Sequence, residues 1–179
     1  MITDRIQRYL DRFADQVVND SKELLRSEKG ETALGKSIRS TVVRTSDGFD
    51  VKFYMNDYGT YLDEGVSGSK KQQSYTDYKG KKRISQYKYT TKGPPLDILS
   101  KWIKKKGIKP KGYGRGRDKD TGRYLSGLAI YISRKIRIGG IKGLSFFQEP
   151  LGVGIKKLNK EFLQEVTLDI KTYLTTYTK

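Results

Sequence analysis

Two residue types that supply much of protein chemistry are missing from this chain of 179 residues. It contains no cysteine, which excludes disulfide bonds and thiolate metal sites. It also contains no histidine, which removes the commonest general base, the commonest metal ligand and the usual partner of a nucleophilic serine. We therefore expect a protein that is not an enzyme and that takes no cofactor, metal ion or small-molecule substrate.

Long apolar runs are absent as well. Apolar residues make up 35% of the chain and charged residues 32%, and no apolar run approaches the length of about 20 residues that spans a bilayer. Charge begins at Asp4, too early for a secretory signal. We expect no membrane contact, a protein made and kept in a cytoplasm, and a single domain over residues 1–179.

Positive charge is abundant and unevenly distributed. The chain carries 37 basic and 20 acidic residues, a net charge of +17. Residues 66–120 hold 17 basic and 4 acidic residues, a net of +13, which leaves only +4 for the rest. Such an excess attracts polyanions and makes their binding dependent on salt.

Apolar residues at helical spacing predict four helices. The first runs from Ile2 to Gly30 and the last carries a stripe from Leu158 to Leu174. Two further helices are predicted between them. One carries Leu96, Leu99, Trp102 and Ile103 on its apolar stripe and ends at Gly107; the other carries Tyr124, Leu125, Leu128, Ile132 and Ile136 and ends at Gly139–Gly140.

A β-hairpin is predicted over residues 36–56. Apolar and polar residues alternate from Phe49 to Met55 after the turn signal Ser46-Asp47-Gly48, and Thr60–Leu62 is predicted to begin a third strand. These elements predict an α+β fold. Its N- and C-terminal amphipathic helices pack on a small antiparallel sheet, beside two further helices and a long basic loop or arm. We expect Phe146 and Phe147 in the core.

Two basic segments are predicted to lie outside the regular elements. Residues 66–94 form an extended loop, an arm or an extended hairpin, and residues 108–121 form a second loop rich in glycine and arginine. The candidates for facing DNA or another polyanion are Lys70, Lys71, Lys79, Lys81, Lys82, Arg83, Lys104, Lys105, Lys106, Arg115 and Arg117. The interleaved tyrosines are compatible with nucleic-acid binding, and a solvated loop or a surface for an acidic protein partner is an equal alternative.

Three other patterns are weaker. Residues 112–117 are glycine-rich but lack the strand and helix that flank a phosphate-binding loop. Lys104–Lys106 are interpreted as either the solvated end of a helix or a phosphate clamp. The adjacent carboxylates Asp63 and Glu64 suggest the metal site of a histidine-free nuclease, to which Asp50, Asp57 and Asp77 are the further candidates, but their spacing matches no nuclease pattern.

The order of the segments resembles the small neck proteins of tailed bacteriophages, called head–tail joining or tail-completion proteins. In that family an aromatic-rich strand ends in Glu-Gly, as Tyr61, Glu64 and Gly65 do within residues 57–66. A later turn rich in phenylalanine leads through a proline into the last helix, and here residues 140–151 contain Phe146, Phe147 and Pro150. The helices over Trp102–Gly107 and Ala129–Ile136 also resemble family segments.

The resemblance implies a structural protein of the virion neck, assembled in the host cytoplasm. It implies a homo-oligomeric ring that contacts the portal or adjacent connector proteins and the tail proteins, with double-stranded DNA in its lumen. The candidates for the subunit interface are Tyr61, Leu62, Glu64, Tyr75, Tyr78, Tyr87 and Tyr89. The alternative function is a soluble protein that binds nucleic acid without sequence specificity.

Overall fold

Helices and short strands make up the computed structural model, which describes residues 2–108, 112, 115–117 and 124–177. The helices are α1 (Ile2–Lys29), α2 (Ala33–Ser37), α3 (Gly59–Glu64), α4 (Leu96–Lys105), α5 (Gly127–Gly139) and α6 (Gln148–Tyr177). The strands are β1 (Arg39–Thr45), β2 (Gly48–Tyr54), β3 (Ser74–Thr76), β4 (Lys82–Ile84), β5 (Arg115–Arg117) and β6 (Tyr124–Ser126). Consecutive strands pair into two-stranded sheets, which confirms the α+β fold class.

The chain divides into two compact units. The first unit contains the described residues of Met1–Asp63, Thr76–Lys82 and Leu144–Lys179, and the second contains those of Glu64–Tyr75 and Arg83–Gly143. The first unit therefore joins the two ends of the sequence, and the second is built from the segments between them.

Helix α1 is amphipathic, as its spacing predicts. Val17, Ser21 and Leu25 lie three or four residues apart on one face and are all buried, while Asp15 and Glu23 are exposed. The helix ends where Gly30 adopts a φ of 71° and donates its N–H to the carbonyl oxygen of Arg26 at 2.8 Å. A glycine adopts this left-handed conformation without the steric cost of a side chain.

The predicted hairpin is confirmed in β1 and β2. The strands are antiparallel, and Thr45 faces Gly48 across a two-residue turn. Phe49, Val51 and Phe53 are half-buried, whereas the residues between them are exposed. Successive side chains of a strand point to opposite faces, so the alternation gives the sheet one face that packs and one that meets solvent.

The first unit has its core where α1 and α6 pack on the β1–β2 sheet. The aromatic ring of Phe53 lies 6.4 Å from that of Phe13 and 5.4 Å from that of Phe147. Gly154 lets α6 approach α1, because a Cβ atom there would lie 2.8 Å from side-chain atoms of both Phe13 and Val17. The buried centre of the core consists of Val18, Leu25, Leu34, Ile38 and Phe146. The core positions predicted for Phe146 and Phe147 are confirmed.

The second unit is built around α4 and α5. Ile103 of α4 and Ala129 of α5 are buried, and Ser133 donates its hydroxyl to the carbonyl oxygen of Pro94 at 2.9 Å. Strands β5 and β6 are antiparallel, with Arg115 opposite Ser126. Among the described residues, no helix combines the length and apolar character that crossing a bilayer requires.

The prediction of a strand at Thr60–Leu62 is wrong, because this segment is part of helix α3. Gly59 donates its N–H to the carbonyl oxygen of Asn56, and Leu62 donates to that of Tyr58. Gly59 and Asp63, four residues apart, are buried while Tyr61 is exposed, which is helical spacing and not alternation.

Two predicted helix boundaries also change. Tyr124 and Leu125 belong to β6 because their backbone pairs with Arg117 and Gly116, so α5 begins only at Gly127. The last helix starts at Gln148, ten residues before the predicted stripe, and Pro150 lies in its first turn. Proline is tolerated there because an N–H in the first turn has no partner within the helix.

Truncation of a core leucine should destabilise the first unit far more than truncation of a surface leucine. Leu25 in α1 is fully buried, whereas Leu163 in α6 is 68% exposed. We expect Leu25→Ala to lower the free energy of unfolding by about 2–5 kcal/mol because it leaves a cavity. Leu163→Ala should change it by less than about 0.5 kcal/mol. Urea titration checks both values, and equal effects would contradict this assignment of the core.

Candidate functional site

In the first unit, the end of α3 is hydrogen-bonded to the segment that precedes α6. The carbonyl oxygens of Leu62 and Asp63 accept the N–H groups of Leu144 and Ser145 at 3.0 and 2.9 Å. The Asp63 carboxylate accepts the Phe147 N–H at 2.9 Å and is 2% exposed. A carboxylate next to the start of a helix is favourable because unpaired N–H groups concentrate positive charge there. The arrangement assigns Asp63 a structural role at the start of α6.

In the second unit, Gly65 comes close to the backbone of Ile141 and Gly143. A Cβ atom on Gly65 would lie 2.5 Å from the Gly143 nitrogen and 2.6 Å from the Ile141 carbonyl oxygen. Val66 and Ile141 exchange backbone hydrogen bonds of 2.8 and 2.7 Å. Gly65 also has a φ of 77°, which side chains other than glycine rarely adopt. Only glycine satisfies both constraints.

The turn at residues 76–82 presents lysines on the first unit. The buried Asp77 carboxylate accepts the N–H groups of Lys79 and Lys81 at 3.0 and 2.8 Å. Tyr78 donates its N–H to the Gln148 side chain at 3.0 Å, which holds the turn on the first turn of α6. Lys79, Lys81 and Lys82 are all exposed. Asp77, considered above as a metal ligand, therefore shapes the turn that carries these lysines.

Almost all of the net charge belongs to the second unit. Its segments contain 19 basic and 4 acidic residues, a net of +15, while those of the first unit contain 18 basic and 16 acidic residues, a net of +2. Opposite charges are therefore nearly balanced in one unit and strongly unbalanced in the other. Long-range attraction of a polyanion acts chiefly on the second unit.

A loop in the second unit covers the carboxyl end of α5. The carbonyl oxygens of Arg137 and Ile138 accept the N–H groups of Ser69 and Lys70 at 2.8 and 3.2 Å. The Gln73 side chain donates to the carbonyl oxygen of Gly139 at 2.6 Å. These bonds satisfy carbonyls that have no partner within the helix, and the exposed Lys70 and Lys71 lie where the helix dipole favours cations.

The other predicted basic residues of the second unit are placed as follows. Arg83 is exposed on β4, and Lys104, Lys105 and Lys106 are exposed at the end of α4. The backbones of Arg115 and Arg117 lie in β5, but their side chains are outside the described part, as are residues 109–111, 113–114 and 118–121 of the second basic loop.

The predicted interface residues differ in exposure. In the first unit, Tyr61 and Tyr78 are 47% and 41% exposed, whereas Leu62 packs against the core. In the second unit, Tyr75, Tyr87 and Tyr89 are half-buried, and Glu64 accepts a hydrogen bond from the Gln86 side chain at 3.2 Å. Burial raises the pKa of the Tyr89 hydroxyl above its ordinary value of 10.0.

Helix α4 has an exposed apolar pair that the sequence pattern did not predict. Trp102 was expected on the same stripe as Leu99 and Ile103, but it is 44% exposed, and Ile98 is 59% exposed. Ile98 and Trp102 are four residues apart and share a helix face away from the buried Ile103. The four-residue spacing of Ile98 and Trp102 is a signal in the sequence. It is easily missed because Leu99 and Ile103, the next residues along, have the same spacing and face the fold.

Comparisons with protein-family models, with curated proteins and with solved structures find no match to this chain. Within the described ranges, no group of three or more aspartate and glutamate side chains is arranged to hold a metal ion. The site is therefore described by its own geometry: two tight backbone junctions, one strongly basic unit and an exposed face on α4.

Substitution of Gly65 should be much more costly than substitution of Gly80. Both glycines have a φ of 77°, but the space around Gly80 is open. We expect Gly80→Ala to cost about 1–2 kcal/mol for the left-handed conformation alone. Gly65→Ala should cost roughly 1–3 kcal/mol more because its methyl group meets backbone atoms. Chemical denaturation measures the difference in the free energy of unfolding. Equal costs would contradict the close approach of Gly65 to Ile141 and Gly143.

Removal of the Asp63 acceptor should destabilise the first unit. In Asp63→Ala the partly buried Phe147 N–H loses its partner, which costs about 1–3 kcal/mol. Asp63→Asn retains an oxygen in the same place and should lose less than about 1 kcal/mol. Thermal unfolding of the three proteins tests this order. Full stability of Asp63→Ala would contradict the structural role and reopen the nuclease interpretation.

Proposed function

We propose that this chain is a structural protein of a tailed-phage virion, a ring-forming subunit of the neck that links the portal to the tail around the DNA channel. The observation that carries the proposal is the pairing of the two sequence segments on which the family resemblance rests. Asp63 pairs with Ser145 and Phe147 in the first unit, and Gly65 lies against Gly143 in the second.

These pairings support the proposal because they give the short motifs a physical reason, although the residues that lead to Glu64 and Gly65 form helix α3 here and not the strand of the family pattern. The glycine after Glu64 is required by its positive φ and by its close approach to backbone atoms. Phe146 and Phe147 pack the core just before α6, and Pro150 occupies a first-turn position. Two segments about 80 residues apart in the sequence are thus joined by hydrogen bonds in the fold.

A ring around DNA also accounts for the distribution of charge. Phosphates are neutralised by lysine and arginine without any reading of base sequence, so a basic lumen needs no base-recognition motif. In the proposed ring the second unit, with its net charge of +15, faces the DNA. The nearly neutral first unit then faces protein neighbours.

Ring subunits also need two different surfaces that complement each other, because their contacts are head-to-tail. Helix α6 offers one such surface in the first unit. Leu163 and Ile170, seven residues apart on one side of the helix, are 68% and 50% exposed. Exposed apolar side chains repeated along a helix are typical of surfaces that bind another protein.

The second candidate is a soluble protein that binds nucleic acid without sequence specificity, and the +15 charge of the second unit favours it. A soluble binder predicts tight binding of duplex DNA by the isolated chain with a steep dependence on salt. A neck subunit predicts weak binding alone and much tighter binding once many copies assemble, because linked contacts act together.

Loss of the protein should leave tail attachment incomplete. We expect a virus with a stop codon in this gene to produce DNA-filled heads and free tails that are not joined, as seen by electron microscopy. Purified wild-type protein added to these extracts should restore joined, infectious particles. Normal joined particles from the mutant would rule out the proposed function.

A further inference from the structure

We propose that the outer face of α4 is a docking surface for an acidic protein segment that carries apolar anchors. This face consists of Ile98, Lys101, Trp102 and Lys105, which follow one another at intervals of three, one and three residues and so share one side of the helix. The proposal does not rest on the neck function, because its evidence is the exposure and the charge of residues on α4.

The face is exposed because the opposite side of α4 makes the fold. Ile103 is 5% exposed and Leu99 is half-buried, so these residues attach the helix to its unit. Ile98 and Trp102 remain 59% and 44% exposed. A tryptophan and a branched aliphatic residue thus lie side by side in solvent, and tryptophan is enriched among the residues that dominate protein-binding energy.

Charge identifies the occupant of this face. Lys101 and Lys105 flank the apolar pair on the same side, and Lys104 and Lys106 are exposed nearby. Within the part of the chain that the structure describes, no carboxylate forms an ion pair with any of these four lysines. An acidic partner supplies carboxylates that can pair with these lysines. Complementary charge also raises the association rate and disfavours basic partners.

A protein segment fits this face better than DNA does. Phosphates of a duplex can pair with the lysines, but its outer surface offers nothing apolar to cover Ile98, and a tryptophan stacks only on unpaired bases. A membrane surface requires an extended apolar face, whereas α4 leaves two apolar side chains free. A helix with carboxylates around a pair of leucines complements both features at once.

The test uses the full chain and its single tryptophan, Trp102, whose emission reports directly on this face. The probe is a glutamate-rich helical peptide with two leucines four residues apart, and its control carries glutamine in place of each leucine. We expect the probe to shift the Trp102 emission to shorter wavelength and to bind roughly tenfold more tightly than the control. Equal binding of the two peptides would overturn the proposal.

Matched variants separate the face from general charge attraction. Trp102→Ala should weaken binding of a fluorescently labelled probe roughly tenfold. Tyr131→Ala is the control, because Tyr131 lies on α5 of the same unit and is 43% exposed. That variant should bind within about twofold of the wild type. Equal losses in both variants would contradict the assignment.

Duplex DNA and anionic lipid vesicles are the competing occupants. Neither should shift the Trp102 emission to shorter wavelength at concentrations where the peptide saturates. A larger shift with DNA would replace the proposal with a nucleic-acid site, and a larger shift with vesicles would replace it with a lipid-binding site. Either result leaves the neck function to be decided by its own experiment.

Discussion

The hydrogen bonds that Asp63 accepts from Ser145 and Phe147 are the constraint on which the first unit depends. They join residues 82 and 84 positions apart just before the start of α6. From that point α6 runs antiparallel to α1, so that Gly154 meets Phe13 and Val17 and the ring of Tyr9 lies 6.3 Å from that of Phe162. The junction acts together with the contact between the rings of Phe53 and Phe147 to hold the start of α6 on the sheet.

Elements with a strong local pattern were predictable from the sequence. The buried stripe of α1, the alternation in β2 and the helix ends at Gly30 and Gly107 follow from spacing and from the conformational freedom of glycine. Each of these signals is contained in a few neighbouring residues, which is why one sequence was enough to find them.

Elements that depend on distant partners were not predictable. Helix α3 has six residues, too few to be stable alone, and contacts with the segment before α6 determine its conformation. Tyr124 and Leu125 fit a helical stripe, yet pairing with β5 makes them a strand. The polyanion candidates were identified by type, but only the contacts of the fold separate the lysines of the Asp77 turn from those of the second unit.

The two units differ in net charge and in the elements that they contain, and the proposed function uses both differences. The nearly neutral unit contains the long helices α1 and α6 and the aromatic core, whereas the unit with a net charge of +15 contains the shorter helices α4 and α5 and the β5–β6 sheet. A scaffold for assembly and a surface for polyanions or acidic partners can thus be built into one chain.

The copy number of this protein in purified virus particles tests the central claim most directly. Quantitative mass spectrometry can compare its amount with that of the major shell protein. A neck ring predicts a small fixed number of copies per particle, about six or twelve, as cyclic symmetry allows. Absence from the particles, or hundreds of copies in each, would contradict a place in the neck.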